Sequence, residues 1–306
     1  MKMEEAMQER TGRLGQIRVY TGKFFRIFIN ERDWKVIVFA VVISALLSLV
    51  MGPKMFVQKE FTRTGMFAIV SSMVWIGIFN SIQNVCRERD IIKREHRTGL
   101  HITSYVASHM IFQAVICAVQ AIVMIVIFRI FMEFPQKGLV TGNYYVDIFI
   151  CFFLILYASD MMGLAVSSVV KSTTAAMTVM PFLLIIQLIL SGSIFPLTGP
   201  AKSLSNLTIS KWGQRALLIE ANLNEIPSTM LEEELKQLQM FDGMEKLIDL
   251  IPEEAVSDLS SQMTYKKIYD YKEELVTRRW LYLMAFVAVF AAISIFSLEL
   301  IDHDKR

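Results

Sequence analysis

Six stretches of this chain stay apolar over about the length a helix needs to cross a bilayer. That repetition limits the possible folds more than any single motif. A bilayer core calls for about 20 consecutive, mostly apolar residues per helix. The stretches are Trp34–Met51, Gly65–Val85, Tyr105–Met132, Tyr144–Val170, Thr174–Leu190 and Trp280–Leu298. The first and fifth are short, and the third and fourth are long enough to tilt or run past the interface. Taken singly, each is compatible with a buried core helix. Six together, with no alternating polar face, predict an all-α integral membrane protein with six transmembrane helices. Composition agrees: 54% of residues are hydrophobic and 20% charged, with a mean hydropathy of +0.46, against about 45–50% and about 25% in soluble domains. The net charge of +2 gives no reason to expect a nucleic-acid partner.

Lys and Arg in short loops set orientation. One set comprises the N-terminal Arg10, Arg13, Arg18, Lys23, Arg26 and Arg32, the five Lys/Arg between Cys86 and Arg97, Lys171, and Lys305-Arg306. In a six-span arrangement all of these fall on one side, so both termini are expected in the cytoplasm and the protein in a bacterial cell membrane. Lys54, Lys59, Arg63 and Lys137 oppose the bias. The N-terminus has no continuous apolar run and is not read as a signal peptide. Cys86, Cys117 and Cys151 are odd in number and lie in or beside spans, so they read as small apolar residues rather than a disulfide framework.

Four regions follow along the chain. Residues 1–33 form a cytoplasmic segment in which 14–30 reads as an amphipathic helix. Leu14, Ile17, Phe24 and Phe28 share a stripe there, with Arg18, Lys23 and Arg26 largely off it. Residues 34–190 hold spans one to five, including the segment 86–104. Residues 191–278 begin with an apolar run holding Pro196 and Pro200, which suits a re-entrant or interfacial element. They continue into a stretch, 222–277, with thirteen acidic and five basic residues. Thr229 and Glu232 there have capping-box spacing, the series Leu231, Leu235, Leu238, Phe241, Leu247 and Ile251 is near-helical, and a second helix is expected from near Thr264. Residues 279–306 are span six and a cytoplasmic tail.

Between spans two and three, Cys86–Arg97 holds nine residues that can carry charge: Arg87, Glu88, Arg89, Asp90, Lys93, Arg94, Glu95, His96 and Arg97. Glu88, Ile92 and Glu95 share one helical face, and Arg87, Ile91 and Arg94 an adjacent one. Such a segment is arranged for contact with another protein. Catalytic motifs are missing. The Gly22-Lys23 pair has Phe24 where a phosphate-binding loop needs a hydroxyl and Ile17 where it needs its first glycine. Leu190-Ser191-Gly192-Ser193 only imitates an ATPase signature, at the end of an apolar span. His96, His101, His109 and His303 have no metal-ligand spacing, and no hydrolase elbow occurs. No catalytic residue, metal or cofactor is expected in the chain.

Polar groups inside spans are costly. Asp160 near the middle of span four reads as a protonated helix-contact residue or as a cation or proton site. Asn80, Gln83, Asn84 and Gln187 suit hydrogen bonds between helices or a pathway lining.

In order and spacing the chain resembles the transmembrane domain of type V ABC exporters, the ABCG (White–Brown Complex) subfamily of the ABC type-2 permeases. Glu88-Arg89, Glu95, Gly99 and Ser104-Tyr105 are similar to that family's coupling segment. Ser191-Gly192 is similar to its step before the re-entrant region, and Lys211-Trp212-Gly213-Gln214-Arg215-Ala216-Leu217 to a further element. The resemblance covers roughly residues 14–220 and the last span. The chain differs in having no ATPase domain of its own, a long acidic segment without cysteines, and Asp160 where small polar residues are usual.

The resemblance implies a permease that forms a homo- or heterodimer in the lipid membrane and couples to a separate or detached ATPase domain, which would bring the ATP and Mg. It implies ATPase coupling through Arg87, Glu88, Arg89, Arg94, Glu95, Gly99 and Tyr105. A substrate pathway is implied along Ile76, Phe79, Asn80, Met177, Met180 and Leu184, with an external gate at Ser193, Ile194 and Phe195. The cargo would be hydrophobic or amphiphilic. Two alternatives stand beside it: an ATP-independent ion- or proton-linked carrier using Asp160, and a membrane sensor or scaffold with an acidic external domain.

Overall fold

The computed structural model describes residues 12–31, 33–135, 137–195, 197–227 and 269–300, and these contain helices and no strand. The helices are α1 (Arg13–Asn30), α2 (Lys35–Met51), α3 (Lys59–Ser81), α4 (Asn84–Arg97), α5 (Ile102–Phe131), α6 (Tyr144–Val169), α7 (Thr173–Ile189), the short α8 (Gly199–Leu204), α9 (Ile209–Glu220) and α10 (Glu273–Glu299). The run Lys59–Arg97 and helices α5, α6 and α10 are long and apolar enough to cross a membrane. The protein is therefore an all-α, multi-pass integral membrane protein. Helices α2 and α7 have 17 residues each, about 25 Å at 1.5 Å per residue, short of a full hydrocarbon core. A 66° bend separates α1 from α2, and α1 packs on α5. Most of the predicted acidic segment, with Thr229, Glu232 and the helix expected from Thr264, lies outside the described residues.

Local signals explain the breaks. The Asn143 side chain accepts from the Tyr145 amide and the Ser172 side chain from that of Ala175, capping α6 and α7. At the end of α4, Gly99 takes φ +113° and the Leu100 amide returns to the Glu95 carbonyl at 3.0 Å. A left-handed residue after a helix is a glycine position. Helix α3 starts at Lys59, six residues before the predicted apolar limit, because this polar first turn is held from outside: the Lys59 amide donates to the Pro227 carbonyl at 3.0 Å. Val85, predicted in span two, falls instead on α4.

The core centres on α3 against α6, flanked by α10 and α9. Gly77 and Gly163 set this crossing. A Cβ on Gly77 would lie 2.5 Å from the Leu156 carbonyl oxygen, and one on Gly163 would lie 2.6 Å from that of Ile78. Small residues let helix backbones approach where apolar burial gives little net drive, as in lipid. Further along, Ser167 Oγ accepts from the Val85 and Cys86 amides at 3.1 Å each. The orphan donors that begin a helix are thus met by α6, and α4 is seated on it.

Candidate coupling site

Helix α4 has two faces. Glu88, Ile92 and Glu95 turn inward, Ile92 fully buried, whereas Arg87, Asp90, Ile91, Arg94 and Arg97 form an exposed stripe at helical spacing. The inward carboxylates meet α1 and α5. Tyr20 Oη donates to Glu95 at 2.8 Å, Lys23 Nζ to Glu88 at 3.4 Å, and Tyr105 Oη to Glu88 at 3.3 Å. Gln16 spans the turn at Gly99, donating to the Gly99 carbonyl at 3.1 Å and accepting from the His101 amide at 3.0 Å. Arg87 pairs with Glu31 just past α1, and Arg89 donates to the Ser168 carbonyl at 2.8 Å and to that of Val170 at 3.3 Å.

Beneath these polar ties is an aromatic layer. The Phe24 ring lies 3.9 Å from that of His109 and 5.7 Å from that of Tyr105, in an edge-on arrangement for the latter. Tyr105 Oη is 3.0 Å from His109 Nε2. Burial, then the bond to Glu95, pushes the Tyr20 hydroxyl well above its ordinary pKa. It therefore stays a donor. Burial, and then Glu31, raises the Asp33 carboxyl. The site holds α4 to α1, α5 and α6 at once.

The remaining sequence-predicted residues separate. Asn80 turns to α5, where Asn80 Nδ2 donates to Gln120 at 2.8 Å and Gln120 Nε2 returns a bond to Asn80 Oδ1 at 3.1 Å. Ile76 and Met180 are buried in the core, while Phe79 and Met177 are exposed, Phe79 edge-on to Phe39. Leu184 lines a cavity of about 470 Å³ between α2, α3, α7 and α9, together with Ile43, Trp75, Leu188 and Ser210. Trp75 carries no sequence assignment, although Ser71, Trp75 and Phe79 repeat every four residues and signal one face. Ser193 Oγ donates to the side-chain Oε1 of Gln214, and Ile194 and Phe195 are exposed. Asp160 is fully buried at the α3–α6 crossing, where Ser81 Oγ donates to its main-chain carbonyl and no hydrogen bond reaches its carboxyl oxygens. Among the described residues, no cluster of His, Cys, Asp or Glu could hold a metal.

A helical bundle with a charged helix fixed across one end is the architecture of a multi-pass integral membrane protein. Residues 16–218 match the ABC-2 type transporter family, and the chain belongs to it. It is also 30% identical over 143 residues to an ABC transporter ATP-binding/permease protein of Mycobacterium tuberculosis. That match covers 46% of this chain and 16% of the relative's length.

Proposed function

We propose that this chain is the membrane permease of an ATP-binding cassette exporter, that it dimerises, and that it takes its driving force from ATPase domains docked on α4. The observation that carries the reading is the division of α4. Its outer stripe (Arg87, Asp90, Ile91, Arg94, Arg97) offers charge around one apolar side chain. Its inner residues tie it to α1, α5 and α6. A push on the stripe reaches α3 through the two-residue break at 82–83 and α6 through Arg89 and Ser167. ATP and Mg²⁺ would sit on the ATPase, and the α4 end would face the cytoplasm with both termini.

The cargo would be hydrophobic or amphiphilic. The cavity beside Trp75 and Leu184 is walled mostly by apolar side chains, and its face of α3 continues to the exposed Phe79. Asp160 lines none of the cavities described, which favours the helix-contact role over a proton-linked carrier. The Mycobacterium tuberculosis relative is an ATP-binding/permease protein, which supports an ATPase partner. Affinity purification of the tagged chain from its native membrane tests the proposal. An ATPase of the cassette type should co-purify and be lost from an Ile91→Asp/Arg94→Glu variant. A chain that transports with no such ATPase would sink it.

A further inference from the structure

At the end of the bundle opposite α4, four cations converge on one cavity of about 150 Å³. Arg63, Lys202, Lys211 and Arg215 line it with Ser193 and Gln214, and among the described residues none of its lining is acidic. Lys211 is only 6% exposed. Its ammonium donates to Ser205 Oγ and Asn206 Oδ1, both at 2.7 Å. Two of its three donors thus end on neutral oxygens. Around the corner, the Trp212 ring carries Lys211, Arg215 and Arg279 at 5.3, 5.4 and 5.2 Å from its centroid. An indole face offsets part of the cost of one desolvated cation, not three.

Buried like charges are costly unless an opposite charge joins them. Burial first, then Arg215, Lys202 and Arg279, lowers Lys211 to about 8, and burial likewise lowers Arg215, whose partner is Tyr269. The space is large enough for one compact anion. Beside it are exposed apolar side chains, Ile194, Phe195, Leu204 and Leu207. A headgroup in the cavity would leave its chain along that rim.

We propose that the cavity at Lys202, Lys211 and Arg215 is a binding site for a phosphate-bearing anionic headgroup, held beside the Ser191–Phe195 step. The site needs no ATPase, so it stands or falls apart from the coupling proposal. The test uses the full chain in a neutral detergent, titrated with inorganic phosphate and separately with dihexanoylphosphatidylglycerol, and reads thermal midpoint and Kd.

Saturable binding of the short-chain lipid is expected, weakened at least tenfold in Lys211→Gln/Arg215→Gln and twofold or more in Lys202→Gln. Lys202 is exposed, so that variant keeps the test valid should the double variant fold poorly. Lys35→Gln, at the other end, should bind as wild type. The lipid stays a monoanion between pH 7 and 9, so its affinity should fall over that range as Lys211 loses its proton. Binding of the lipid alone points to a lipid source, and equal binding of both probes to any phosphate, each in support. No saturable binding by either probe would mean the cations are neutralised within the chain and overturns the site. An unchanged Kd in Lys202→Gln and in the double variant overturns it equally.

Discussion

At Asp160 the competing demands of a membrane interior are concentrated on one side chain. A buried carboxyl without hydrogen-bond partners is tolerable only when neutral, and the amide of asparagine has nearly the same shape. Asp160→Asn should therefore leave expression, thermal midpoint and transport rate within about twofold of wild type, as measured in proteoliposomes. Abolished transport at normal stability would restore the proton-carrier reading. The neighbouring contact is less forgiving. Gly77→Val would drive a side chain into the Leu156 backbone, and overpacking of this kind costs about 1–3 kcal/mol. A clear fall in thermal midpoint is expected, with no comparable loss for Gly22→Ala, where nothing lies near. Outside the spanning helices, burial and then Asp147 push the Glu220 carboxyl up to about 7. The folded chain then holds a proton that the unfolded chain sheds near its ordinary pKa. Stability from this group is greatest below that ordinary pKa and is lost as pH rises through about 7, by on the order of 3 kcal/mol at pH 8. Melting curves from pH 5.5 to 8.5 should show this slope, and Glu220→Gln should flatten it.

Between elements, the joint of α1 with α4 is the contact to break. Its ion pair, Lys23 with Glu88, is partly exposed at 32% and 18% of the side chains, so its own worth is about 0.5–1 kcal/mol. Its larger consequence is geometric. Lys23→Glu or Glu88→Lys alone should lower ATP-driven transport severalfold with little change in thermal midpoint, and the double swap should recover part of it. Additive loss in the swap would show that the two side chains do not act together. Both helices were legible in the sequence, because periodicity within 18 or 14 residues is local information. Their joint was not: Tyr20 and Glu95, or Lys23 and Glu88, lie 75 and 65 residues apart, and nothing in either segment names the other. Helix facing had the same limit. Asn80 bonds to Gln120 on α5, one of the two roles read for it in the sequence, and the neighbouring Trp75, which carried no reading, lines the cavity. The basic cluster escaped for the same reason, since Arg63 and Arg215 meet only after α3 and α9 pack.

Across the whole molecule, the two proposals place coupling and headgroup binding at opposite ends. At the α4 end Lys23 and Arg87 pair with carboxylates and Arg89 with backbone carbonyls. The opposite end gathers Arg63, Lys202, Lys211 and Arg215 around an open cavity, the headgroup site proposed above. The bundle between them is crossed by the close α3–α6 contact, so motion at α4 has a stiff route toward α9. That arrangement separates binding from coupling. Ile91→Asp/Arg94→Glu on the outer stripe alters no inward contact, so the chain should insert, melt and bind short-chain lipid as wild type. With its ATPase present, stimulated hydrolysis and transport should fall together by tenfold or more. If transport survives while the ATPase no longer co-purifies, force does not enter through α4. If instead lipid binding is lost along with transport, the two ends are not independent, and the headgroup site must be read as part of the transport cycle rather than as a separate capture point.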